Sequence, residues 1–242
     1  MEVVSLYVAV CLSALLAAVL VYRYDLYNRE PWYMIALAAG IGFATMRLVA
    51  SVELWALGLV EAQAAEAAVA AILEETARFA AVVAIAFGFS RHFDDPMDGI
   101  IYGSIVGLGM AAEESLDFLQ ARSALDLLLF PLELVRLLGH LVMGGISGFG
   151  VGMGRTGMSR WLRALLLSFS AAFALHFSWD WVAVAAGDAA ALSPPLTVVA
   201  IAIMLAGIGI YGALVVLGSR MSRAMFAPGS VRSLWGFPFK SR

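Results

Sequence analysis

The sequence predicts an all-α polytopic membrane helix bundle of about seven transmembrane helices. Of the 242 residues, 62% are hydrophobic and only 14% charged, and the mean hydropathy is +0.91. Soluble domains are about 25% charged, and one water-soluble core cannot hide this much apolar surface. Seven apolar stretches reach the length of about 20 residues that a helix needs to cross a bilayer core. A net charge of -3 without a basic stripe excludes nucleic-acid binding. The single cysteine, Cys11, lies in an apolar run and excludes both a disulfide scaffold and a cysteine-based metal site.

Taken in order, the spans are Val3–Tyr22, Pro31–Val52, Glu66–Phe89, Asp98–Leu119, Pro131–Gly154, Trp161–Ala186 and Leu196–Gly218. The first is read as a retained helix rather than a signal peptide. Its apolar run exceeds the usual 7–15 residues, no basic segment precedes it, and it leads into Arg23 and Asp25 without a small-residue cleavage site. The stretch Leu54–Ala65, apolar but dotted with Glu61 and Gln63, reads as an interfacial segment or an extension of the third span. Residues 1–218 form a single transmembrane domain. Residues 219–242 form a basic and aromatic tail, with Trp235, Phe237 and Phe239 as interfacial anchors.

Basic residues set the orientation. Arg23, Arg29, Arg91, Arg155, Arg160, Arg163, Arg220, Arg223, Arg232, Lys240 and Arg242 fall on one face, eleven of the fifteen basic residues. Of the rest, only Arg122 is clearly in a loop on the opposite face, which instead collects Glu2, Glu53, Glu61, Asp126 and Asp188. This places the N-terminus outside and the C-terminal tail in the cytoplasm.

Five groups of ionisable residues lie inside or at the ends of spans: Arg47; Glu74, Glu75 and Arg78; Glu113, Glu114 and Asp117; Arg136 and His140; His176 and Asp180. Each charge there costs at least about 2.5–3.5 kcal/mol, so such residues mark a site or a structural pair. Depth distinguishes the two. At about 1.5 Å per residue, Glu75, Glu114, His140, His176 and Asp180 all fall roughly 8–15 Å below the outer ends of their helices. Four antiparallel helices thus present them in one layer, on the side away from the basic loops.

Two histidines and several carboxylates without thiols suit Zn²⁺ in a catalytic site, where three protein ligands leave a position for water. His176 and Asp180 are one turn apart and can face one centre. Glu74 and Glu75 project about 100° apart, so one can serve as general base while the other pairs with Arg78. The run Gly144, Gly145, Ser147, Gly148, Gly150, Gly152 and Gly154 after His140 lets a neighbouring helix or a substrate backbone approach closely. Taken singly, each feature also has a structural reading as an ion pair, a helix-to-helix hydrogen bond or packing. Glu113 and Asp117 read as outer-interface residues without chemistry.

Five segments together resemble the PrsW family of intramembrane proteases, itself similar to the CAAX-prenyl endopeptidase and bacteriocin-processing membrane proteases. They are Arg23-Tyr-Asp-Leu-Tyr-Asn-Arg-Glu-Pro-Trp32; Glu74-Glu75-Thr-Ala-Arg78, with Arg for the family's Lys; Tyr102-Gly through Gly107-Leu-Gly-Met-Ala-Ala-Glu-Glu114-Ser, with Met110 for Phe and Ser115 for Asn; the His140 glycine-rich helix; and His176-Phe-Ser-Trp-Asp180. The resemblance covers most of the chain. It implies a membrane metalloprotease that cleaves a membrane-tethered protein, such as an anti-sigma factor, near its extracytoplasmic side. Carried over residue by residue, it implies Glu114, His140 and His176 as Zn²⁺ ligands and Asp180 as fourth ligand or orienter. The Glu74/Glu75 pair, with Arg78, would supply the general base, and the related endopeptidases favour the first Glu. The expected partners are a single-span membrane protein substrate and the lipid bilayer, with the oligomeric state open. Two rivals compete: a proton- or ion-coupled transporter, which predicts inverted repeats and broken helices that the sequence lacks, and a non-catalytic scaffold of the same family, against which retention of every candidate ligand argues.

Overall fold

The computed structural model describes residues 3–23, 27–121, 129–186 and 193–226. Glu2, Asp25, Arg122, Asp126, Asp188 and the tail residues Arg232, Trp235, Phe237, Phe239, Lys240 and Arg242 lie outside them. Seven α-helices follow one another: α1 (Val3–Tyr22), α2 (Trp32–Leu57), α3 (Gln63–Gly88), α4 (Pro96–Ala121), α5 (Leu129–Arg155), α6 (Trp161–Ala186) and α7 (Pro194–Phe226). The described residues contain no strand. The protein is thus an all-α bundle compatible with the membrane fold expected.

Five helices, α1, α2, α5, α6 and α7, are long and apolar enough to cross a membrane. The other two, α3 and α4, have 26 residues each, but carry Glu66, Glu74, Glu75 and Arg78, and Asp98, Glu113, Glu114 and Asp117, respectively. The helices that fail on composition are two of those that carry the candidate site. Residues 54–65 are neither an interfacial helix nor wholly part of α3. Instead α2 runs on to Leu57, a turn follows, and α3 starts at Gln63. At the other end α7 continues beyond Gly218 to Phe226, since no helix breaker occurs before Pro228.

Helices α4 and α5 form the centre of the bundle and are its most intimately packed pair. Every residue from Asp95 to Ala111 is buried, and so is every residue from His140 to Met153. Apolar leucines elsewhere, such as Leu12, Leu16, Leu166 and Leu205, stand exposed on α1, α6 and α7, where a bilayer would cover them. Glycines make the α4–α5 contact possible. A Cβ on Gly99 would strike the Gly148 carbonyl, one on Gly103 the Gly144 carbonyl, and one on Gly107 the carbonyl of His140. These residues recur every four positions, so one glycine stripe on α4 meets the stripe after His140 on α5. The close approach seen in the sequence is therefore made by a helix, and it carries His140 hard against α4.

The start of α4 is fixed by a reciprocal cap. Asp95 Oδ1 accepts from Met97 N (2.5 Å) and Asp98 N (3.1 Å), while Asp98 Oδ2 accepts from Asp95 N (2.8 Å) and Asp94 N (2.7 Å). Pro96 occupies the first helical position, where no donor is needed. Because the seam tolerates no added atom, Gly103→Ala should push α4 and α5 apart and destabilise the protein by about 1–3 kcal/mol, the usual cost of overpacking. A melting temperature equal to that of the unaltered protein would show that the helices do not meet there.

Candidate active site

Glu74, Glu75 and Arg78 stand on consecutive turns of α3, and all three are buried. Arg78 is fully buried and lies in contact with Glu75, and its NH2 stands 3.8 Å from Glu74 Oε2. The same NH2 donates to His140 Nδ1 across the bundle at 2.8 Å. Because a guanidinium only donates, Nδ1 accepts, and a neutral His140 then carries its proton on Nε2, so that Nε2 binds a metal only once that proton has left. His176 has the opposite arrangement. Its Nδ1 lies 2.8 Å from Glu75 Oε1, an acceptor, so the ring proton sits on Nδ1 and the Nε2 lone pair is free.

Both Nε2 atoms face a common space. Glu74 Oε2 lies 4.0 Å from His140 Nε2 and 3.8 Å from His176 Nε2. Glu114 Oε2 approaches His140 Nε2 to 3.0 Å, and Asp180 Oδ2 approaches His176 Nε2 to 3.4 Å. The imidazole rings meet edge to face with centroids 5.8 Å apart. All seven candidate residues of α3, α4, α5 and α6 thus converge on one place. Within it, Glu74, His140 and His176 form a buried group whose ligand atoms lie within 4.8 Å of one another.

The donor set fits a divalent cation. Glu74 Oε2 and Asp180 Oδ2 are buried without a hydrogen-bond partner, and a native protein rarely leaves such atoms unsatisfied. An ion among them would satisfy them. The ligand atoms that all lie within reach of one another are those of the histidine pair and Glu74, whereas Glu114 stands beside His140 Nε2 at 3.0 Å. Glu114 is further held through its other oxygen by Arg136 Nε at 3.3 Å, and Arg136 NH1 also pairs with buried Glu133 at 2.9 Å.

The chain matches the family described as PrsW family intramembrane metalloprotease over residues 29–218. The chain belongs to the PrsW family. It is similar to the Protease PrsW of Geobacillus kaustophilus (strain HTA426), 31% identical over 170 residues that make up 68% of this chain and 73% of the relative. No solved structure matches the chain. As a PrsW family member it is an integral membrane protein and an intramembrane protease.

In this PrsW member the remaining span charges find structural partners. Arg47 of α2 bridges Glu113 at 3.0 Å and Asp117 at 2.8 Å on α4. Glu113 and Asp117 therefore turn away from the histidines, toward α2. Sequence reasoning missed two carboxylates. Glu53 was placed on the outer face, but with α2 extended to Leu57 it falls in the last turns of that helix, with Oε2 buried and unpartnered. Glu133 is buried beside Arg136. A helix running five residues further, to Leu57 rather than Val52, was the signal for the first; an i+3 relation to Arg136 was the signal for the second.

The Glu-Pro segment before α2 meets the opposite end of α4. Buried Glu30 accepts from the Tyr102 hydroxyl, His92 Nδ1 lies 3.8 Å from the same carboxylate, and Asn28 donates to Asp94 at 3.1 Å. The first of the five PrsW-like segments is therefore structural anchoring at a distance in sequence from the histidines.

Proposed function

We propose that the chain is a zinc endopeptidase that hydrolyses a peptide bond in a single-span, membrane-tethered protein, of the anti-sigma-factor kind, near the extracytoplasmic side of a bacterial or archaeal cytoplasmic membrane. The observation that carries this reading is the convergence of two imidazole Nε2 atoms with the Glu114 carboxylate and with unpartnered buried oxygens of Glu74 and Asp180. Glu114, His140 and His176 would hold Zn²⁺, with Asp180 as a further ligand or as orienter of His176. The ion would supply Lewis acidity, activating water near neutral pH and polarising the scissile carbonyl.

The protein's own groups carry the remaining steps. Glu75 fixes the His176 ring through Nδ1 and aims its Nε2 inward, the role of a carboxylate behind a ligating histidine. Arg78 neutralises Glu75 and leaves Glu74 Oε2, 3.8 Å from its own NH2, turned toward the histidines. Glu74 is then placed to take a proton from the attacking water and deliver it to the leaving amine. The buried setting keeps bulk water from the reacting groups. Glu114 and Asp180, with side chains 32% and 21% exposed, mark the side from which a peptide enters. The arginine-rich loops support a reading in which that side faces away from the cytoplasm, residues 1–218 are the protease domain and 219–242 are a cytoplasmic tail.

The test is direct. Purified protein in lipid vesicles should cut a candidate single-span substrate, lose that activity with a zinc chelator and regain it with Zn²⁺. In cells, a tag on the extracytoplasmic side of the same substrate should be shed. Cleavage that persists after the metal is removed would overturn the zinc reading, and a fragment released into the cytoplasm would overturn the orientation.

A further inference from the structure

On the flank of the bundle away from the histidines, α1 rests on α4 and α5 and leaves a cleft between itself and α2, floored by α4. The cleft has a volume of about 1190 Å³. Small side chains create it: Ala14 and Ala18 on α1, Ala39 and Gly40 on α2, Gly109 and Ala112 on α4. The small residues of α2 and α4 serve close packing on one side, since a Cβ on Gly109 would strike the Ala39 carbonyl. Gly40 does not: a Cβ there would meet nothing within 4 Å, so its missing side chain leaves open space.

The two ends of the cleft differ. One end is lined by Arg23 and Arg29 together with Tyr22 and Trp32, and both arginines are exposed. Cationic heads beside amphipathic rings, at the end of an apolar slot, match the headgroup level of a bilayer. Flexible acyl chains can follow an apolar slot lined by small side chains of three helices. We infer that the α1–α2 cleft is a binding site for one anionic phospholipid, its acyl chains between the helices and its phosphate between Arg23 and Arg29. This site is independent of the proteolytic reading.

Full-length protein in mild detergent should be titrated with dioleoyl phosphatidylglycerol or dioleoyl phosphatidylcholine and examined by native mass spectrometry. One phosphatidylglycerol should be retained in preference to phosphatidylcholine. A basic residue near a membrane surface contributes roughly 5-fold in anionic-lipid affinity, so the R23Q/R29Q double variant should lose that preference, roughly 30-fold in all. Gly40→Leu, whose Cβ meets nothing within 4 Å and whose branch extends into the cleft, should abolish retention of either lipid while leaving the melting temperature in detergent unchanged. Equal retention of the two lipids by the unaltered protein, or unchanged retention by Gly40→Leu, would overturn the proposal. So would a Gly40-sensitive dimer, which would assign the cleft to a second copy. Loss of substrate cleavage in Gly40→Leu with lipid retention intact would likewise overturn it and assign the cleft to the substrate's helix.

Discussion

Glu74→Gln is expected to fold, to keep its zinc and to lose cleavage by about 10²–10⁴-fold, the contribution of a positioned general base. The substitution keeps shape and removes only the capacity to accept a proton. Glu74 makes no hydrogen bond through Oε2, so the fold loses little. Glu75→Gln should behave differently, because Glu75 holds both Arg78 and His176 Nδ1. Weakening a fully buried ion pair from one side costs about 3–5 kcal/mol when the partner charge is left uncompensated. Lower thermal stability and lost activity should therefore appear together. Zinc content, melting temperature and single-turnover cleavage of each variant separate the outcomes. A stable, zinc-loaded and inactive Glu75→Gln would exchange the two roles. A zinc-free Glu74→Gln would make Glu74 a ligand and leave Glu114 as the candidate base, and unchanged cleavage in both would sink this account of the site.

His176→Ala should retain less than about one-tenth of the zinc bound by the unaltered protein, because losing even a residue that merely orients a ligand lowers metal affinity about 10–100-fold. His140→Ala should do the same. The two differ in what they leave behind. Without His176, Glu75 keeps Arg78 as its partner, whereas without His140 the Arg78 NH2 loses its acceptor and is left with Glu74 at 3.8 Å. His140→Ala should thus be the less stable of the pair in thermal melts monitored in detergent. Elemental analysis showing full zinc occupancy in both would return these histidines to packing roles.

Much of this site was legible because charge inside an apolar span is conspicuous. Glu75, Glu114, His140, His176 and Asp180 share one depth, and depth follows from counting residues along a helix of known rise. Rotation about the helix axis is harder. The 100° between Glu74 and Glu75 shows that they face different neighbours, but which one meets His176 depends on where α6 packs, and that is a tertiary outcome. The Arg78 contact to His140, 62 residues away, has no local signature at all. The glycine run after His140 announced a close approach without naming its partner. That partner, the Gly99, Gly103 and Gly107 stripe, is visible on α4 only once the two helices are paired. Glu53 escaped because α2 outlasts its strongly apolar stretch by a turn, and a terminus placed too early turns a helix-borne carboxylate into a loop residue.

The distribution of the cluster over four helices also bears on how the molecule is made. Chains enter the membrane from the N-terminus onward, and helical hairpins can pair as they emerge. When α5 has been synthesised, the α4–α5 glycine seam can close and bring Glu114 to His140, while Glu74, Glu75 and Arg78 are already present on α3. His176 and Asp180 are not. They arrive on α6, which packs against both α3 and α5, so a nascent or truncated chain holds a half-centre with one histidine. On the proposed function, the hydrolytic centre is complete only when α6 docks, late in biogenesis, so a partly inserted copy should be inert toward its membrane neighbours.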